Sequence, residues 1–183
     1  MLGLPQYRGA SMTADIPPPV RARRRQILLI VIAAAETLST LSDLPGTVAP
    51  YLDDAPTGFL LFAQILLSLK FALAPCLAVP ALYFAVKGRL REATMALGGL
   101  LLLAWLLDDT TSIVIHGTEL SASFGGAIVA MHHFLYPLLG LAGGGFAYIR
   151  RQPALAAVLV SLPTVLNWTG FVIFAVGIFI HGF

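Results

Sequence analysis

The chain has 183 residues, 58% of them hydrophobic and only 11% charged, with a mean hydropathy of +0.87. A soluble domain carries about 25% charged residues, so this chain cannot cover a soluble globule of its size, and its hydrophobicity excludes intrinsic disorder. The net charge of +2 offers no basic surface for nucleic acid, and what remains is a small all-α membrane protein, one bundle whose first partner is the lipid bilayer.

Residues 1–26 read as a disordered, Pro- and Arg-rich arm, because Pro17, Pro18 and Pro19 cannot sit inside a helix. Met12 offers an alternative start. Residues 27–183 then form a single transmembrane bundle, with no soluble domain at either end. Arg21, Arg23, Arg24 and Arg25 lead into the first apolar segment, 27–44, which stops at Pro45-Gly46. Four more segments follow at about 58–86, 93–115, 124–148 and 153–182. A bilayer crossing takes about 20 residues, so five transmembrane helices are expected. The second and fifth are longer than needed; Pro75, Pro80 and Pro163 mark where they would kink.

The connections alternate in charge. Arg21 to Arg25, then Lys87, Arg89 and Arg91, then Arg150 and Arg151 are basic. Between them fall Asp53 and Asp54, and then Glu119, with no base. The positive-inside rule puts the N-terminus in the cytoplasm and the C-terminus outside, in a bacterial-type inner membrane. Arg24-Arg25-Gln26-Ile27-Leu28 also resembles a twin-arginine export signal, with Ala33-Ala34-Ala35 as a cleavage site. Cleavage there would leave four helices in the same orientation.

Cys76 cannot form an intrachain disulfide, and inside an apolar run it reads as a small buried residue. Gly140, Gly143, Gly144 and Gly145 let a helix approach its neighbour closely, with Gly98-Gly99 a facing partner. The same glycine-rich faces could serve a homo-oligomer or a larger membrane complex.

Ionisable groups inside a membrane cost about 2.5–3.5 kcal/mol each on insertion scales, and they face the bundle interior or a water cavity. Here they are Glu36, Lys70, Asp108, Asp109, His132 and His133. At about 1.5 Å per residue, the carboxylates and histidines share one level in the outer half of the bilayer, with Lys70 somewhat deeper. Glu36, Ser39, Thr40 and Asp43 form one helical stripe; Asp109, Ser112 and His116 a second; His132, Tyr136 and Gly140 a third. Thr164, Asn167 and Trp168 add polar groups on the fifth segment. Three such stripes at one depth point to a hydrated pocket open to the outside. Lys70 is too deep to snorkel to either headgroup layer, so it needs a carboxylate partner, with Glu36 favoured over Asp108 and Asp109. Asp109 is expected to meet a histidine across the third and fourth segments, with His132 favoured because Tyr136 and Gly140 continue its face.

Three functional readings stay open. One is a proton- or cation-linked carrier or channel, since intramembrane Asp, Glu and His build proton relays and histidine titrates near neutral pH. The second is an accessory or structural subunit, in which polar side chains only join helices. The third is a metal-dependent membrane enzyme with Asp109, His116 and His132 as ligands. No cofactor is expected, and no HExxH spacing supports the transition metal of the third reading. His116 and His181 could also hold a haem, but they read better as interfacial ends, as Trp105 and Trp168 read as packing or interface anchors. No nucleophilic serine motif, Walker loop or Rossmann fingerprint is present.

Overall fold

A long apolar stretch satisfies its own backbone hydrogen bonds only as a helix or a closed barrel when lipid surrounds it, and this chain takes the helical solution. The computed structural model describes residues 20–47, 58–116 and 131–181. Five α-helices follow in chain order: α1 (Val20–Ser42), α2 (Phe59–Val86), α3 (Leu90–His116), α4 (Tyr136–Tyr148) and α5 (Pro153–His181). A short 3-10 turn, Leu44–Thr47, follows α1, and a π turn, Met131–Leu135, runs directly into α4. Among the described residues, four helices, α1, α2, α3 and α5, are long and apolar enough to cross a membrane, as in a multi-pass membrane protein. The expected fourth segment is described only from Met131, since 124–130 lie outside the described residues.

The first boundary differs from expectation. α1 begins at Val20 and not at Ile27, so Arg23, Arg24 and Arg25 lie in its opening turns and not in a disordered arm. Residues 1–19 lie outside the described residues. Pro75, Pro80 and Pro163 all fall inside helices that continue through them.

Each helix packs on its neighbours in sequence, α5 closes back onto α1, and α3 also touches α1 and α5. The interior is rich in alanine, with a few larger aliphatic side chains. Leu29, Ile32, Ala33, Ala81, Ala85, Ala93, Leu97, Ala157 and Val160 form the main buried cluster. Large apolar side chains such as Leu60, Phe62, Leu138 and Phe171 face outward instead. In water such a surface would aggregate; in lipid, small residues let backbones approach while large ones meet acyl chains. Beyond Thr164, nearly every described α5 side chain is exposed.

Glycine sets the α3–α4 and α4–α5 seams. A Cβ on Gly98 would lie 3.0 Å from the Gly140 carbonyl oxygen, and one on Gly143 only 2.6 Å from Val160 Cγ1. Gly140 and Gly143 are therefore used within the chain. Cys76 does not match its expected burial: it is exposed on α2.

The basic connections gather at one end. Gln26 Nε2 donates to the Ala85 and Val86 carbonyls at the end of α2, at 3.2 and 3.3 Å. Arg91 donates from Nε to the Ala147 carbonyl at 3.2 Å and from Nη2 to the Tyr148 carbonyl at 3.1 Å. These side chains reach carbonyls in the last turns of α2 and α4, where intrahelical donors run out; those of Ala85 and Ala147 also accept the Gly88 and Arg150 backbone N–H groups, and a cation such as Arg91 is favoured there by the helix dipole. Both tight turns at this end have Schellman-type bonds: Arg89 N to the Phe84 carbonyl, and Arg151 N to the Phe146 carbonyl. The first places Gly88 in the left-handed region at φ 73°, and the second places Arg150 there at φ 57°. A side chain in that region costs about 1–2 kcal/mol.

Candidate functional site

At the end opposite the arginines, all five helices line one polar cavity of about 260 Å³. α1 contributes Glu36, Ser39, Thr40 and, just past its end, Asp43; α2 contributes Lys70; α3 contributes Trp105, Asp108 and Asp109. The π turn brings His132, α4 brings Tyr136, and α5 brings Thr164 and Asn167. At about 1.5 Å per residue, Glu36 lies about 9 Å from the end of α1, and Lys70 about 16 Å from the start of α2. The cavity therefore reaches two to three turns into the bundle.

Lys70 is paired, with a partner other than the one expected. Its Nζ lies 2.7 Å from both carboxylate oxygens of Asp108, not on Glu36. Consecutive α1 and α2 do pack together, but helix rotation turns Lys70 toward α3. Glu36 instead accepts a 2.6 Å hydrogen bond from the Thr164 hydroxyl, which joins α1 to α5. The Tyr136 hydroxyl donates to Asn167 Oδ1 at 2.9 Å, which joins α4 to α5. Thr37 Oγ1 lies 2.7 Å from the Ala33 carbonyl and 3.1 Å from that of Ala78, so it bridges α1 and α2.

Asp109 meets His133, whose Nδ1 contacts its Oδ1, and not His132. The His132 ring packs against Tyr136, tilted by 49° with centroids 4.3 Å apart, and it lines the cavity. Pro137 explains the local geometry. It has no N–H to offer the carbonyl four residues back, which belongs to His133, and its ring crowds that carbonyl. The turn ahead of it is widened to a π turn, and the Trp105 indole N–H supplies a donor to the His133 carbonyl at 2.9 Å. A straight α-helix would aim only one of two adjacent histidines at α3. In the π turn both are engaged, one by the cavity and the other by Asp109.

Trp105 is the residue that sequence reasoning missed. It is neither a simple packing residue nor an interface anchor: it lines the cavity and holds the π turn. The signal was present as a proline four residues after a histidine, opposite a tryptophan. Trp168 lies outside the cavity, on a groove beside α1. The side chains of His116 and His181 lie outside the described residues, and with them the ligand set of Asp109, His116 and His132. Among the described residues, no group of three His, Cys, Asp or Glu is arranged to hold a metal ion. The cavity gathers, among the described residues, four carboxylates, Glu36, Asp43, Asp108 and Asp109, with one ammonium, Lys70. Such a wall can attract a cation, exchange protons, or take a small polar molecule by hydrogen bonds. Comparison with family models, curated proteins and solved structures finds no match for this chain.

Proposed function

We propose that this chain is a proton- or cation-linked membrane carrier or channel, with the five-helix cavity as its ion-binding site. The observation that carries the reading is the gathering of Glu36, Lys70, Asp108, Asp109 and His132 around one cavity. Isolated polar groups in a membrane helix are costly, and chains of Asp, Glu and His inside a bundle are the material of ion pathways. Among the described lining residues carboxylates outnumber the ammonium of Lys70, which favours a cation or a proton as the compensating charge. Asp109 lines the cavity and also touches His133, which gives a proton a second station behind the wall. The three basic connections lie at the other end of the bundle. The positive-inside rule then puts the N-terminus in the cytoplasm of a bacterial-type inner membrane, with the cavity opening outward.

The test is flux across vesicles that contain the purified protein, an internal pH dye and an imposed pH, Na⁺ or K⁺ gradient. Wild-type protein should dissipate at least one gradient faster than protein-free vesicles, and Asp109→Asn should slow it at least tenfold. No flux above protein-free vesicles under any of the three gradients overturns the reading. One observation favours a second reading in that case. The Thr164–Glu36, Tyr136–Asn167 and Lys70–Asp108 contacts each join two helices, as they would in an accessory or structural subunit.

A further inference from the structure

A second cavity lies at the arginine end, about 270 Å³ in volume, between α1, α3, α4 and α5. Arg25, Arg91 and Arg150, from three different helices or their ends, line it together. Below them the wall is apolar, with Leu29, Phe146 and Ala157 among its residues, and none of its described lining residues is acidic. An adjoining groove shares Arg25 with the cavity and adds Arg24. We propose that this cavity binds the phosphodiester headgroup of one anionic phospholipid from the surrounding leaflet.

The argument rests on three observations. Guanidinium groups present a planar fork of N–H donors matched to phosphate oxygens. Arg91 uses Nε and Nη2 for the Ala147 and Tyr148 carbonyls; of its five N–H donors, three stay available while those bonds fix its position. Second, the turn that carries Arg150 departs from the glycine rule. The equivalent turn between α2 and α3 uses Gly88 at its left-handed position, whereas this one holds Arg150 at φ 57°. A left-handed arginine is unfavourable for the turn alone, and its side chain lines the cavity; strained residues of this kind concentrate at ligand sites. Third, the size fits. At about 30 Å³ for a water-sized group, the cavity has room for about nine, which suits a phosphate with its glycerol. Leu155 and Val158 on α5 are exposed beside it, so acyl chains can continue down the outer face. Lipid is the occupant committed to, because the site combines cations with an apolar floor at the membrane boundary, where basic pockets between helices take anionic headgroups.

Native mass spectrometry of the detergent-purified protein, titrated with phosphatidylglycerol or phosphatidylcholine, tests this. Wild-type protein should retain one phosphatidylglycerol with at least tenfold preference over phosphatidylcholine, and the anionic lipid should raise its melting temperature. Arg150→Gly relieves the backbone and should melt no lower than wild type without lipid, yet lose most of the preference; Arg25→Gln should also lower it. Lys87→Gln removes a cation from the same end but outside the cavity and should keep it. Equal retention of the two lipids, or an equal loss in Lys87→Gln and Arg150→Gly, overturns the proposal. So does full displacement of the lipid by inorganic phosphate at an equal concentration, which would make this a site for free anions.

Discussion

Removing the charge of Lys70 by Lys70→Met, alone and together with Asp108→Asn, measures the ion pair inside the polar cavity. The Nζ–oxygen distance of 2.7 Å corresponds to a Coulomb attraction of about 6 kcal/mol at an effective dielectric constant of about 20, before screening and desolvation are taken off. The side chains are 24% and 48% exposed, so the pair is neither a free surface pair, worth about 0.2–1 kcal/mol, nor a fully buried one, whose disruption costs about 3–5 kcal/mol. Ordering the lysine side chain takes back up to about 1.5–2 kcal/mol. Solvent screening and this entropy bring the coupling to about 1–2 kcal/mol, a 5- to 30-fold change in the folding equilibrium (about 1.4 kcal/mol per tenfold). Reversible unfolding in mixed micelles, followed by circular dichroism, provides the four stabilities of the cycle. The double variant should be more stable than the sum of the single losses predicts, by that coupling. The parallel cycle of Lys70→Met with Glu36→Gln should show less than half of it. Additivity of Lys70→Met and Asp108→Asn within about 0.5 kcal/mol, or a larger coupling to Glu36, would refute the pairing and the helix rotation it implies.

Further outcomes follow from other contacts. Gly143→Val should lower stability by about 1–3 kcal/mol, the usual cost of overpacking, because the first added carbon already meets Val160 Cγ1 at 2.6 Å; Gly145→Ala, with open space at that position, should melt at or above the parent. Thr164→Val removes the donor to Glu36 and should cost about 1–3 kcal/mol, as for a buried acceptor left without its partner, while Thr169→Val, on exposed α5, should cost under about 0.5 kcal/mol. Trp105→Phe should speed hydrogen exchange in the π turn and the start of α4, since the His133 carbonyl loses its indole donor; unchanged exchange would remove Trp105 from that role. Alkaline phosphatase fused after Phe183 should be active and, fused after Arg91, silent; the reverse pattern would invert the proposed orientation.

Much of the architecture was legible in one dimension because it depends on quantities that add along the chain. Apolar segments long enough to cross a bilayer, the breaks at Pro45-Gly46 and at the basic turns, and the alternation of charged connections all follow from composition and length. So does the position of each ionisable group along its own helix, since helical rise is constant. Helical period also assembled the stripe of Glu36, Ser39, Thr40 and Asp43, and all four side chains face one cavity. What depth and period do not contain is the rotation of one helix against another. Lys70 had three carboxylates within reach by depth, and only the packing of α2 on α3 selected Asp108. Gly98 and Gly140 could equally have served a second chain; their close approach within this one decided their use. The choice between His132 and His133 was harder still. An ideal α-helix points them about 100° apart, but Pro137 denies the His133 carbonyl its donor, a π turn replaces the α turn, and Trp105 on another helix supplies the missing N–H. The first turn of α1 was misjudged for a related reason: arginines look like a polar arm in sequence, yet they have good helix propensity and stay helical once Gln26 and the end of α2 give the segment something to pack against. Segment, depth and stripe were thus set by local chemistry, whereas partner, facing side and the departure from α geometry were set only when five helices had to fill one interior.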